Sequence, residues 1–241
     1  MGGLGHYFEQ EGIPTTSISL FRFQSERMRT PRALWVPFEL GRPLGAPDFP
    51  EFQKRVLRAA LALLERTDGP VLEDFPDAAP QAPELEGWSC PVPRTAATAK
   101  AATLGETLAR EVESLRPWYD LSVARRGRST VGTSGLDIAG AAALVASYLV
   151  QGQPANPRPE MAPASLLKLA SEDLKAYYLE AALAQPGTPS GNRLRDWLWG
   201  ETMAGKALLS LRARLQDSDD KAMQTFVRLL LVPHDQAHRA P

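Results

Sequence analysis

The sequence predicts an α/β fold, with a small, mostly parallel sheet and flanking helices in the N-terminal half and a helical C-terminal half. Three observations carry this. Two β-branched or apolar runs, "GIPTTSISLF" (12–21) and "RALWVPF" (32–38), are flanked by helix-period stretches at Leu4–Glu11 and from about Asp48 to Arg66. The second run is apolar on both faces, which suits a strand covered on both sides. Beyond residue 160 helical periodicity continues and no strand-like run interrupts it.

Taken in order, Leu4 to Glu11 reads as a short helix stopped at Gly12 before the first strand. The loop after the second strand holds Pro37, Gly41, Pro43 and Gly45, which restrict or free the backbone at fixed points. Asp48 followed by Glu51 resembles a capping box, and Phe52, Val56, Leu57, Ala60, Leu61 and Leu64 recur at helical spacing to about Arg66, with Gly69 beyond. "GPVLEDF" (69–75) reads as a short third strand. Residues 76–93, which include "PDAAPQAPELEG", are rich in Pro, Ala and acid and read as a linker or lid.

From Thr103 the helical period returns. Leu104, Leu108, Val112 and Leu115 form one face, Glu106 completes a capping box, and Pro117 is expected just past the end. "GRSTVGTSG" (127–135) reads as a brief strand entering a turn, with Ser134 as N-cap of a helix from about Leu136 to Val150. After "QGQPANPRPEMAP" three helical stretches remain, at 164–184, 191–215 and 219–231. No internal repeat is evident. The expected organisation is an α/β region at 1–151, a helical region at 160–233 and a flexible tail at 234–241.

The 241 residues are 44% hydrophobic, enough to bury the core of one large or two small domains. With 27 basic against 28 acidic side chains the net charge is −1, so no global field draws phosphate backbones or anionic bilayers, and neither nucleic acid nor membrane is an expected partner. A single cysteine, Cys90, leaves no internal disulfide framework and no zinc site of several thiolates, which points to the cytoplasm. The opening "MGGLGHYFEQEG" lacks a charged n-region before an apolar core, and no window approaches the ~18 apolar residues of a membrane span, so the chain is expected to be neither exported nor membrane-spanning.

Several clusters could carry chemistry. Glu39 and Arg42 sit on the loop leaving the second strand, the end at which open α/β sheets bind ligands. They would hold a zwitterion, with Arg42 on a carboxylate and Glu39 on an ammonium, or else pair with each other. "ARRGRSTVGTSGLD" brings Arg125, Arg126 and Arg128 before a turn of small residues ending at Ser134, a turn whose N–H groups suit a carboxylate, sulfate or phosphate; capping with a solvated basic face is the alternative. It is neither a Walker A loop nor a dinucleotide fingerprint. Cys90, with Trp88 before it and Arg94 after it, is a candidate catalytic thiol or a buried bystander.

The histidines offer less. His234 and His238 are spaced to chelate, yet lie in a terminal tail without a third ligand, and His6 is either an acid–base group or an exposed helix residue. Tyr177, Tyr178, Trp197 and Trp199, with Lys175, Glu180 and Glu201 nearby, read as core or interface packing, and Gly200 and Gly205 as points of close helix approach. No cofactor is implied by any of these motifs.

As an ordered set, "EGIPTTSISL", "PRALWVPFELGRPLGAP" and "FQKRVLRAALALLE" resemble the last section of the selenoprotein B subunits of glycine, sarcosine and betaine reductases and the related D-proline reductases. The resemblance covers about residues 4–66. In that family a redox cysteine or selenocysteine precedes the Gly-Ile-Pro turn by about a dozen residues, a distance that here runs ahead of Met1. Either the redox residue is lost or the start lies downstream of a selenocysteine codon. The resemblance implies the fold and an amino-acid-like or amine ligand; a partner reductase subunit and a homo-oligomer are the further expected partners. The expected role is a binding or accessory subunit; the alternative is a thiol-dependent reductase or lyase using Cys90 or an upstream cysteine or selenocysteine.

Overall fold

Strands and helices alternate through the first part of the chain: α1 (Gly2–Gln10), β1 (Ser17–Ser19), α2 (Arg22–Met28), β2 (Arg32–Trp35), α3 (Pro50–Ala62) continuing into a 3-10 turn (Leu63–Glu65), and β3 (Val71–Asp74). The computed structural model describes residues 2–80, 88, 103–152, 154–187 and 189–240. Two units emerge from it, Met1–Pro83 and Glu84–Pro241.

In the first unit the strands form a parallel sheet in the order β1-β2-β3, with Ser17 beside Ala33 and Arg32 beside Val71. The doubly apolar β2 is the central strand, as its composition required, and Ala33 and Leu34 are buried there. Phe52, Val56, Ala60 and Leu63 of α3 and its 3-10 turn pack on Leu34, Val36, Val71 and Phe75. Burying each large side chain of this kind contributes about 1.5–3 kcal/mol. Gly45 is needed as glycine, because φ is +85° and a Cβ there would meet the Phe52 ring at 2.9 Å.

Two local expectations fail in this unit. The crossover from β1 to β2 contains α2, whose seven residues are too few for a helical period to be seen. Asp48 does not cap α3; it sits at φ +64°, the N-cap is Phe49 without a side-chain bond, and Pro50 begins the helix. Proline's fixed φ and missing N–H make that first position its natural place.

The second unit is helical throughout its described residues: α4 (Leu104–Arg126), α5 (Ile138–Gln151), α6 (Pro163–Leu183), α7 (Gly191–Glu201), α8 (Met203–Leu215), α9 (Lys221–Leu229) and a 3-10 turn (His234–Arg239). Helix α6 is the hub and touches α4, α5, α7, α8 and α9. The expected division near residue 151 falls inside the second unit, in which α4 and α5 pack on α6. Their alanine- and leucine-rich faces find a matching apolar helix there.

Thr103 and Glu106 form the capping box that begins α4. The helix then runs through Pro117 instead of ending before it. The hydrogen bond lost at the proline is outweighed by what the next two turns bury, including Ser122 and a Tyr119–Tyr177 ring contact at 4.6 Å. Residues 127–135 form turns and bends rather than a strand. The stretch 191–215 divides at Thr202, whose Oγ1 donates to the Leu198 carbonyl at 2.6 Å and accepts from Gly205 N–H at 3.0 Å. The expected tail instead folds into the last 3-10 turn, burying Gln236 and joining Arg239 to Asp196.

Candidate ligand-binding site

Only Arg29, Thr30 and Pro31 separate α2 from β2, which opens with Arg32, and this short connection positions a cavity. Arg29 closes α2 in the left-handed conformation, with φ +49° and ψ +49°. Thr30 is buried, and Gly2 at the start of α1 lies against Met28 and Thr30. Together with Thr67–Pro70, which leads into β3, these residues surround a cavity of about 600 Å³ lined by His6, Glu9, Arg29, Arg32 and Asp68 over Met28, Pro31 and Pro70. It lies at the N-terminal ends of β2 and β3.

The charges in its wall are not equivalent. Glu9 accepts from Thr15 N–H at 2.5 Å, Thr15 Oγ1 at 3.0 Å and Arg32 Nη1 at 2.6 Å. The Thr15 backbone bond, against the opposing effect of burial and with help from Arg32, holds the Glu9 carboxyl below its usual range. Arg32 is fully committed, since Nε and Nη2 both donate to the Arg66 carbonyl. Asp68 receives a fork from Arg66 at 2.8 and 2.7 Å and is lowered chiefly by it. His6 Nε2 lies 3.1 Å from the Met28 carbonyl, to which it donates.

Arg29 is the exception. Among the described residues its guanidinium has neither an ion pair nor a side-chain hydrogen bond. The cavity thus offers an uncommitted fork for a carboxylate, carboxylates already held ionised for an ammonium, and an apolar floor.

Glu39 and Arg42 lie elsewhere. They follow β2 at its carboxyl end, pair with each other at 3.6 Å, and are 42% and 52% exposed. This is the mutual pairing offered as the alternative to a ligand role. Neither lines the cavity.

The turn at 130–134 receives carboxylates of the chain itself. Asp173 of α6 accepts from the N–H groups of Gly132, Thr133 and Ser134 at 2.9 Å each, and from Thr133 Oγ1 and Ser134 Oγ at 2.8 and 2.6 Å. Two helical turns on, Glu180 accepts from Thr130 N–H at 2.9 Å and from Thr130 Oγ1 and Ser129 Oγ at 2.8 Å. Ser134 is therefore a fully buried structural donor, and the N-cap of α5 is Asp137. Arg128 is exposed beside this turn and makes no ion pair among the described residues. Arg126 lines a separate cavity of about 560 Å³ with Lys175, Leu179, Trp199 and Leu230.

No family model, curated protein or solved structure matches this chain. Its site is accordingly defined by its own geometry.

Cys90 and Arg94 lie outside the described residues. Trp88 is within them, donating Nε1–H to the Ala182 carbonyl at 3.2 Å, meeting Trp197 edge-on at 6.0 Å and lying under Arg193. Tyr177, Tyr178, Trp197 and Trp199 are core residues. Among the described residues no group of three or more His, Cys, Asp or Glu could hold a metal ion, and no helix is long and apolar enough to cross a membrane.

The cavity residues Glu9, Arg29, Arg32 and Asp68 were not singled out by sequence reasoning. The available signal was weak: three arginines, Arg27, Arg29 and Arg32, crowd the seam between a helix and a strand. Their partners come from α1 and from the approach to β3, too distant in sequence for spacing to reveal them.

Proposed function

We propose that the sheet unit binds a small amino-acid-like zwitterion in the cavity between α1, α2 and the N-terminal ends of β2 and β3, and that the chain acts as a binding or accessory subunit for a reductase. The uncommitted Arg29 guanidinium in a wall otherwise neutralised by its own ion pairs carries this reading. A ligand carboxylate takes the fork, Asp68 or Glu9 faces the ammonium, and Met28, Pro31 and Pro70 accept a short apolar side chain. The resemblance of residues 4–66 to the selenoprotein B subunits supports a ligand of the glycine, sarcosine, betaine or proline type. Binding needs no redox residue in the cavity.

Isothermal titration with glycine, sarcosine, betaine and D-proline tests it. At least one is expected to bind, with Arg29→Ala weakening it by roughly tenfold or more, as loss of a charge-assisted pair implies. The Glu39→Gln/Arg42→Gln variant is expected to bind as the parent does. Absence of heat with all four ligands, or binding indifferent to Arg29, would reject the proposal.

A further inference from the structure

Helix α3 and its 3-10 turn are committed to the sheet on one side only. Phe52, Val56, Ala60 and Leu63 are buried, whereas Leu57, Leu61 and Leu64 point away from that core and are 42%, 57% and 36% exposed. Leu57 and Leu61 lie one turn apart on α3 and Leu64 follows on the 3-10 turn, in the order of the d, a and d positions of a heptad. Three leucines along one exposed stripe forgo the burial they would gain against a partner.

The flanking charges indicate which partner fits. Arg58 and Glu65 follow Leu57 and Leu64 directly, so both occupy e positions along the same edge of the seam. Both are exposed, and neither has an ion pair or side-chain hydrogen bond among the described residues. Their neighbours on the helix are different: Lys54 pairs with Glu51 and Arg55 with Asp77, each at 2.9 Å. An edge with one free cation and one free anion, two helical turns apart, is complementary to itself when reversed. In an antiparallel pair with its two-fold axis near Leu61, Arg58 meets the partner's Glu65 and Glu65 meets the partner's Arg58, while Leu61 packs between the partner's Leu57 and the partner's Leu64.

We propose that two copies of this chain associate through this face, as an antiparallel two-fold pair of α3 helices closed by two reciprocal Arg58–Glu65 contacts. The inference does not depend on the ligand reading, because none of these residues lines the cavity. A seam of three leucines is small for an interface, so the association is in the micromolar range or weaker.

Sedimentation equilibrium of the full chain, from micromolar to several hundred micromolar, tests it. The parent is expected to show a reversible monomer–dimer equilibrium. Arg58→Glu or Glu65→Arg alone places like charges across both contacts and is expected to weaken dimerisation by roughly tenfold. The double swap, Arg58→Glu with Glu65→Arg, is expected to restore it, with circular dichroism unchanged in all three variants. A chain that stays monomeric throughout the range overturns the proposal. So does association that ignores the single reversals, or a double swap that fails to rescue. Titration of the Arg58→Glu variant with the zwitterions above separates the two readings, since its ligand binding is expected to be unaltered.

Discussion

Asp173 is 1% exposed, and its carboxylate accepts five hydrogen bonds from residues 132–134, so it anchors that turn to α6. Asp173→Asn presents an amide N–H₂ to some of those donors and strands them; the expected loss is about 3 kcal/mol in chemical denaturation. Burial pushes its pKa up, but the Ser134 and Thr133 donors outweigh burial and hold it below the usual value of 3.8. Glu180 is likewise lowered from 4.5, its burial overcome by Thr130 and Ser129. Stability from these two groups is complete above those values and is lost as pH falls through the lower native ones.

Glu111 has the opposite sign. It is buried, and burial raises its pKa above 4.5 even though Tyr178 Oη–H and Met203 N–H donate to Oε1 at 2.8 and 2.7 Å. Between 4.5 and its raised native pKa the unfolded chain ionises while the native one keeps its proton, so this residue lowers stability as pH rises through that window. Glu111→Gln keeps the acceptor oxygen and removes the ionisation. Melting temperatures at about pH 5 and about pH 8 should therefore fall less between the two conditions in the variant than in the parent; an equal fall would contradict the assignment.

At the scale of elements, α7 and α8 meet where a side chain has no room. A Cβ at Gly205 would lie 2.0 Å from the Leu198 carbonyl oxygen, so Gly205→Ala is expected to destabilise by about 2–3 kcal/mol despite alanine's better helix propensity. Urea denaturation with an unchanged m-value would measure it. Thr103→Ala removes one half of the α4 capping box and should cost about 1 kcal/mol.

That box was legible because four adjacent residues contain all of it. The course of α4 past Pro117 was not, since the proline is local whereas the rings that keep the helix going come from α6. The same holds for Ser134: a polar residue before a helix reads as a cap, and only its neighbour across 39 residues, Asp173, makes it a core donor.

For the whole molecule, the two units have separate cores, one around Phe52 and Phe75 and one around Tyr177 and Trp197. Residues 84–241 expressed alone should keep a helical circular dichroism spectrum and a single cooperative melt. A non-cooperative melt would mean that this core needs the sheet unit.

What the sequence by itself determined is local in origin: a central strand apolar on both faces, the periods of the longer helices, and the capping box. Backbone geometry and side-chain period act over a few residues, so they leave their mark in short windows. Only the tertiary structure decided that Asp173 fills the turn and that Arg29 lines the cavity without a partner among the described residues. Those outcomes turn on which charges find partners, and partners are supplied by segments the chain brings together only when it folds.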